Sequence, residues 1–374
     1  MVKNELLFEA LKKSGIEFYC GVPDSLLKDF CAFLTDNTSS KEHIITANEG
    51  GAIALASGYH MATSKVPLVY LQNSGLGNIV NPILSLADKE VYGIPMLIMI
   101  GWRGEPGVHD EPQHKKQGRV QNDLLDCMEI PYMVLDESTS DVSQFVKKAI
   151  SKTVNLSTPV AIVVRKNTFE PYQLKSSVAS DYMLSRESAI QQVLEQLEID
   201  DIVVSTTGKP SREVFEFRVS QNFGNQNDFL TVGSMGHCSQ IALGIALHTD
   251  RNVFCIDGDG SVIMHMGGLS ITGQSGAKNF RHIVLNNGAH DSVGGQPTVG
   301  FEISISEIAL ANGYKKVFKA KDSDSLKSSL ERFLKEDGPV LLEVCIKKGA
   351  RKDLGRPTST PEENKKALMK LLNS

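Results

Sequence analysis

The chain has 374 residues, 41% hydrophobic and 22% charged, with a formal net charge of −5. That length and apolar content support two or three domains with buried cores. The mildly acidic balance excludes the basic surface that a nucleic-acid partner demands.

The longest apolar run, residues 94–100, is too short to cross a bilayer and reads as a buried strand, so no membrane partner is expected. Met1–Glu5 has no basic start leading into an apolar segment, which argues against a secretory signal. Six cysteines occur without a Cys-x-x-Cys pair, most of them inside apolar runs, and read as buried thiols of a cytoplasmic protein.

Short apolar runs bounded by Gly, Pro, Asn or Asp recur along the whole chain. In the first half the predicted strands are 18–22, 43–47, 68–72, 96–100, 132–135 and 160–164. Segments with helical spacing lie between them, such as 5–13 and 143–152. The stretch from Glu170 to Arg186 is polar, Ser-rich and aperiodic, and residues 173–185 are taken as a linker. In the second half the predicted strands are 202–205, 229–232, 253–256, 282–285, 316–318 and 340–346. A closing helix is expected from Pro361 to Leu372, with the proline in its first turn. Apolar strands alternating with helices imply parallel sheets covered on both faces. The expected fold class is therefore α/β, with two doubly wound domains, residues 1–172 and 186–374, and no domain between them.

The strongest motif begins at Val253. A buried strand ends in Gly258-Asp259-Gly260-Ser261, a helical segment follows, and a second buried strand ends in Asn286-Asn287-Gly288. Asp259 and Asn287 then share the carboxyl edge of a sheet, where open α/β folds bind ligands. Mg²⁺ takes oxygen ligands and shares them with phosphates, so Asp259, Asn287 and the carbonyl of Ala289 form a plausible set. Gly260 lets backbone approach a phosphate, and a helix opening near Ser261 offers free N–H groups. A Rossmann dinucleotide loop fails for want of a third glycine at the required spacing.

The Gly-Asp-Gly to Asn-Asn arrangement resembles the thiamine-diphosphate (ThDP) binding motif. The resemblance implies a pyrimidine-binding first domain and a diphosphate-binding second domain, with Mg²⁺ and ThDP as cofactors. It implies cofactor contacts from Thr207 and Gly208, at the end of strand 202–205, and from Gly258, Gly260 and Ser261. It assigns Gly233 and Met235 to the aminopyrimidine, with Met235 wedging the cofactor into a bent shape. Thr46 to Tyr59 resembles the family's glutamate segment, which makes Glu49 the acid that activates the pyrimidine. Gln72 to Asn78 resembles a pyrimidine-domain loop, although Asn78 directly follows its second glycine. A tight turn before a helix capped near Asn81-Pro82 remains open. In this family the site lies between subunits, which implies a homo-oligomer.

Three segments, 21–25, 101–114 and 287–298, resemble the phosphonopyruvate decarboxylases and, more distantly, the sulfopyruvate decarboxylases. The substrate implied is a small anionic 2-oxo acid. A single fused chain is taken to favour the phosphonate enzyme, and a ThDP carboligating synthase would use the same cofactor parts. Asp24, His109, His114 and His290 are candidates for proton transfer and orientation. Arg103, Lys115 and Arg119 are candidates for the distal anion, with Arg103 foremost because a guanidinium pairs two oxygens at once. The competing reading of His109, Asp110, Glu111 and His114 is a zinc hydrolase site, which the polar loop expected there does not favour.

Overall fold

The structure, a computed structural model, describes residues 1–176 and 180–373; residues 177–179 of the expected linker lie outside the described residues. The chain divides into two compact units, Met1–Ser177 with Val293–Gln296, and Val178–Ser292 with Pro297–Ser374. Residues 293–296, expected in the second domain, thus group with the first.

The first unit holds β1 (Tyr19–Gly21), β2 (His43–Ile45), β3 (Leu68–Gln72), β4 (Leu97–Gly101), β5 (Tyr132–Leu135) and β6 (Val160–Val164). They form one sheet in the order β2-β1-β3-β4-β6-β5, and every pairing is parallel. The strand faces alternate between two cores. Leu68, Tyr70, Leu97, Met99, Val160 and Ile162 face one. Val69, Leu71, Ile98, Ile100, Ala161 and Val163 face the other. Burial on both sides is why these strands read as continuous apolar runs.

The second unit holds β7 (Ile202–Ser205), β8 (Asp228–Leu230), β9 (Val253–Gly258), β10 (Phe280–Asn286), β11 (Lys316–Ala320) and β12 (Val340–Cys345). Their order is β11-β12-β10-β9-β7-β8, again all parallel. Both sheets are doubly wound. Strand order reverses between β1 and β3 in the first and between β7 and β9 in the second, and ligands bind such sheets outside the carboxyl ends at that switch point. The loops that follow β1, β2, β3, β7 and β9 are those carrying Asp24, Glu49, Asn73, Thr207 and Asp259. Among the described residues no helix is long and apolar enough to cross a membrane.

Two local expectations fail. The helix after β4 runs from Pro112 to Cys127, so His114, Lys115 and Arg119 are helical rather than on a polar loop. Its buried positions are His114, Gly118, Gln121 and Leu125, a mostly polar stripe that leaves no hydrophobic period to read. After β3, a helix spans Leu76–Pro82, so Pro82 closes it instead of opening one.

Candidate active site

In the first unit, Glu49 opens the helix Glu49–Thr63, whose N-cap Asn48 accepts a hydrogen bond from the Gly51 N–H at 2.9 Å. The Glu49 side chain is buried. Asn78 donates its amide to Glu49 Oε2 at 2.7 Å. Gly75 lies directly under the carboxylate: a Cβ there would meet Glu49 Oε1 at 2.3 Å. Gly75 and Asn78, both in the segment after β3, are therefore shaped around this acid.

Asp24 follows β1 and is fully buried. Burial pushes its carboxyl up to about 6, against the pull of the Leu26 and Leu27 N–H groups and of Arg103. Gly101 makes room for it, since a Cβ at that position would meet Asp24 Oδ2 at 2.0 Å. Arg103 reaches across to the same corner, where Nη1 donates to Ser25 Oγ at 2.5 Å.

The foremost expectation for Arg103 needs correction. Its Nε donates to Asp110 Oδ2 at 2.7 Å and its Nη2 to Asp110 Oδ1, a bidentate fork. Gly104 N–H adds a bond to Asp110 at 2.8 Å, and together these hold Asp110 well below the usual carboxylate range. The guanidinium is thus matched in charge and geometry, and it braces the loop after β4. The same pairing removes Asp110 from any zinc ligand set with His109 and His114. Trp102 fixes the loop to the helix by donating to the Gly118 carbonyl at 2.8 Å.

Lys115 and Arg119 are exposed and make no ion pair among the described residues. With Gly104, Val108 and His109 they line a small pocket between the loop and the helix. His109 is exposed, whereas His114 is buried, and burial together with Arg103 lowers its imidazole below the ordinary value.

In the second unit, β7 ends at Ser205, and Thr207 and Gly208 follow, half-buried. Gly208 takes φ +95°, which favours glycine, at the head of the helix Lys209–Ser220. Asp259 opens the six-residue helix Asp259–Met264 immediately after β9. The helix therefore starts two residues before Ser261. The Ser261 hydroxyl is occupied: it accepts from Thr206 Oγ1 and from the Gly236 N–H, each at 3.1 Å. It ties the end of β7 to the segment Gly233–Gly236.

Asp259 is buried and makes no ion pair among the described residues. Burial pushes its carboxyl up to about 6. Thr298 donates its hydroxyl to Oδ2, and Asn287 N–H approaches Oδ1 at 3.5 Å. β9 and β10 are paired neighbours, which brings Asn287 beside Asp259. Asn287 Oδ1 accepts from the Ala289 N–H at 3.0 Å, a turn that holds Ala289 next to the pair. The donor set is all oxygen: one carboxylate, one amide and one backbone carbonyl. A buried carboxylate without a direct ion pair among the described residues, with an amide and a backbone carbonyl at the same strand ends, fits a hard divalent cation that also binds phosphate.

Gly260, Met235 and His290 converge. A Cβ on Gly260 would lie 3.2 Å from His290 Cε1 and 3.4 Å from Met235 Cε. Burial pushes the His290 imidazole down to about 4, so the ring is neutral near pH 7.

Three groups escaped the sequence reading. Thr298, at the end of the segment 287–298, binds Asp259 from thirty-nine residues away. Asp291 gathers Arg186 Nη1 at 3.1 Å, Lys209 Nζ at 3.3 Å and the Gly349 N–H at 3.1 Å. That network fixes the loop after β10 and the head of the tail. Lys348 lies close enough for Asp291 and Asp259 to counter the fall that burial imposes on its amine.

Residues 1–129 match the model of the thiamine pyrophosphate enzyme N-terminal TPP binding domain, and residues 206–344 that of the C-terminal TPP binding domain. The chain is 33% identical to phosphonopyruvate decarboxylase of Streptomyces viridochromogenes, over 96% of this chain and 91% of that one. It belongs to the phosphonopyruvate decarboxylase family of thiamine pyrophosphate enzymes. A second member, from Streptomyces hygroscopicus, is 30% identical over 97% of this chain and 92% of its own. The sulfopyruvate decarboxylase of Methanosarcina acetivorans is 26% identical over 99% of this chain and 97% of that one. That relative also spans both halves in one chain, so the fused arrangement does not separate the phosphonate from the sulfonate enzyme, as the sequence reading had supposed.

Proposed function

We propose that this protein decarboxylates 3-phosphonopyruvate to phosphonoacetaldehyde and carbon dioxide, as a step of phosphonate biosynthesis. The observation that carries this reading is the full-length similarity to phosphonopyruvate decarboxylases. The unpaired Lys115 and Arg119 beside the loop after β4 supply a physical reason, because a substrate with two anionic ends needs a cation beyond the reacting carbon.

Asp259, Asn287 and Ala289 would hold Mg²⁺, with Thr298 orienting the carboxylate and Gly208, Gly258 and Gly260 leaving space for the diphosphate. Glu49, steadied by Asn78, would bind the pyrimidine of ThDP, with Gly233 and Met235 against its other edge. When bound, the cofactor supplies the electron sink for the pair left as carbon dioxide departs. In the net reaction the bond between the carboxylate and the 2-oxo carbon breaks, and one proton joins that carbon. Asp24, pushed up to about 6 by burial, is placed to take up and give back a proton in a dry corner close to neutral pH. His114 and His290, both held neutral, orient without adding charge. His109, at the open side of the pocket, faces solvent and serves proton supply.

The enzyme is proposed to work in the cytoplasm as a homo-oligomer, its sites formed between subunits as in the family it belongs to. The full-length likeness to a sulfopyruvate decarboxylase favours one second reading, a sulfonate in place of the phosphonate. The test of the main reading is carbon dioxide release from 3-phosphonopyruvate by protein stripped of cofactor and then resupplied. Release is expected only with both ThDP and Mg²⁺. Release without either would overturn it.

A further inference from the structure

Beneath the Asp259 turn, on the sheet face covered by the helix Cys238–Ala246, three ligand-bearing side chains meet, and a histidine abuts one of them. Cys255 and Asp257 are two apart on β9 and therefore share one face. His282 on β10 pairs in register with Cys255, which puts its side chain on that face too. Cys238 comes down from the helix, and its Sγ lies 3.5 Å from Cys255 Sγ. One ligand atom each from Cys238, Cys255 and Asp257 lies within 4.8 Å of the others. His282 Nε2 stands 3.6 Å from Asp257 Oδ2. All four side chains are 2% exposed or less.

His282 is the independent pointer. Its Nε2 has no hydrogen-bond partner in a fully buried setting, although its Nδ1 meets the Tyr314 hydroxyl at 3.0 Å. Buried polar atoms are normally satisfied. A histidine with one nitrogen anchored by a second residue and the other aimed at the carboxylate of the cluster has the form of a metal ligand with its outer-shell partner. Two thiolates on one tetrahedral Zn²⁺ sit about 3.8 Å apart, given Zn–S bonds of about 2.3 Å. The observed sulfur separation needs only a small opening to reach that.

We propose that Cys238, Cys255, Asp257 and His282 form a structural site for a thiophilic divalent cation, Zn²⁺ by preference, separate from the oxygen-ligand site at Asp259. Binding converts two thiols to thiolates and releases two protons: one Zn²⁺ replaces two Sγ–H protons. The cation would pin the helix that follows the Gly233–Gly236 segment to β9, the strand that leads into Asp259. Cys127 is the exposed cysteine of the six and is no part of the cluster.

The test uses the ThDP- and Mg²⁺-loaded protein carrying Cys127→Ser, titrated with Co²⁺ as the spectroscopic substitute for Zn²⁺. The expected result is a thiolate-to-cobalt charge-transfer band with tetrahedral visible bands, saturating at one ion per chain and displaced by Zn²⁺. The all-oxygen site cannot give that band. Cys255→Ser should abolish it, and Tyr314→Phe, which keeps the ring, should retain the band but weaken affinity roughly ten-fold. Absence of the band in a chain folded by circular dichroism would overturn the proposal. So would a band that survives both Cys238→Ser and Cys255→Ser, or a Cys238–Cys255 disulfide in protein alkylated at lysis.

Discussion

Asn78 donates its side-chain amide to Glu49 Oε2 at 2.7 Å, and the same carboxylate rests over Gly75, where no Cβ fits. The acid is therefore held in one place by one bond and one vacancy in the packing, both supplied by the turn after β3.

Gly75→Ala tests that arrangement without touching the acid. The new methyl displaces the Glu49 carboxylate, and proton exchange at the thiazolium carbon of added ThDP, followed by NMR, should slow roughly 100-fold. Glu49→Gln should slow it at least as much while leaving ThDP bound. Exchange at the wild-type rate in both variants would reduce Glu49 to a helix-end acid interacting with the helix dipole.

Asp259→Ala should abolish the Mg²⁺ dependence of ThDP binding, because it removes the ionised oxygen of the set. Thr298→Val keeps the shape and loses the hydroxyl bonds to Asp259 and from the Gly300 N–H, so it should weaken Mg²⁺ binding about ten-fold. Calorimetric titration with and without EDTA reads both. Equal affinities across wild type and Asp259→Ala would move the metal elsewhere.

Arg103 and Arg119 should fail differently. Arg103→Ala breaks the fork to Asp110 and leaves that acid half-buried, so turnover of every 2-oxo acid should fall together with the thermal midpoint. Arg119→Ala and Lys115→Ala each remove an unpaired exposed cation. They should raise KM for 3-phosphonopyruvate about ten-fold or more and leave slow turnover of pyruvate unchanged, the signature of a lost anchor for the distal anion. The reverse pattern would return that role to Arg103.

Asp24 makes stability depend on pH. The fold keeps its proton up to about pH 6, whereas the unfolded chain releases it near the ordinary carboxylate value. Stability from this group is thus present at low pH and is lost as pH rises toward 6, on the order of 3 kcal/mol in all. Asp24→Asn stays neutral throughout, so its thermal midpoint relative to wild type should climb between pH 4 and pH 7. A difference that does not vary with pH would show that Asp24 is ionised throughout.

If the site is shared between subunits, inactive Glu49→Gln mixed with inactive Asp259→Ala should recover activity, since some mixed pairs hold one intact acid opposite one intact metal set. No recovery after proven subunit exchange would confine the site to one chain.

The strands were legible because most are short apolar runs buried on both faces, as β3, β4, β6, β10 and β12 are, and the Gly258 to Asn287 motif carried its own strand–turn–helix–strand context. The helix Pro112–Cys127 was not legible, since it buries His114, Gly118 and Gln121 rather than an apolar stripe. Nor was the fork between Arg103 and Asp110, which rests on a loop turning back over seven residues. Composition could list the two charges but not join them. The role of Thr298 was invisible for a simpler reason: it ends the segment 287–298, but nothing in that segment pairs it with Asp259, and only the fold brings the two together.

Substrate choice tests the account most directly. Aldehyde formation from 3-phosphonopyruvate, sulfopyruvate and pyruvate should be measured side by side with ThDP and Mg²⁺ in excess. The expected result is a kcat/KM for 3-phosphonopyruvate well above both others, with phosphonoacetaldehyde as the product. A higher kcat/KM for sulfopyruvate, or no aldehyde from 3-phosphonopyruvate, would contradict it.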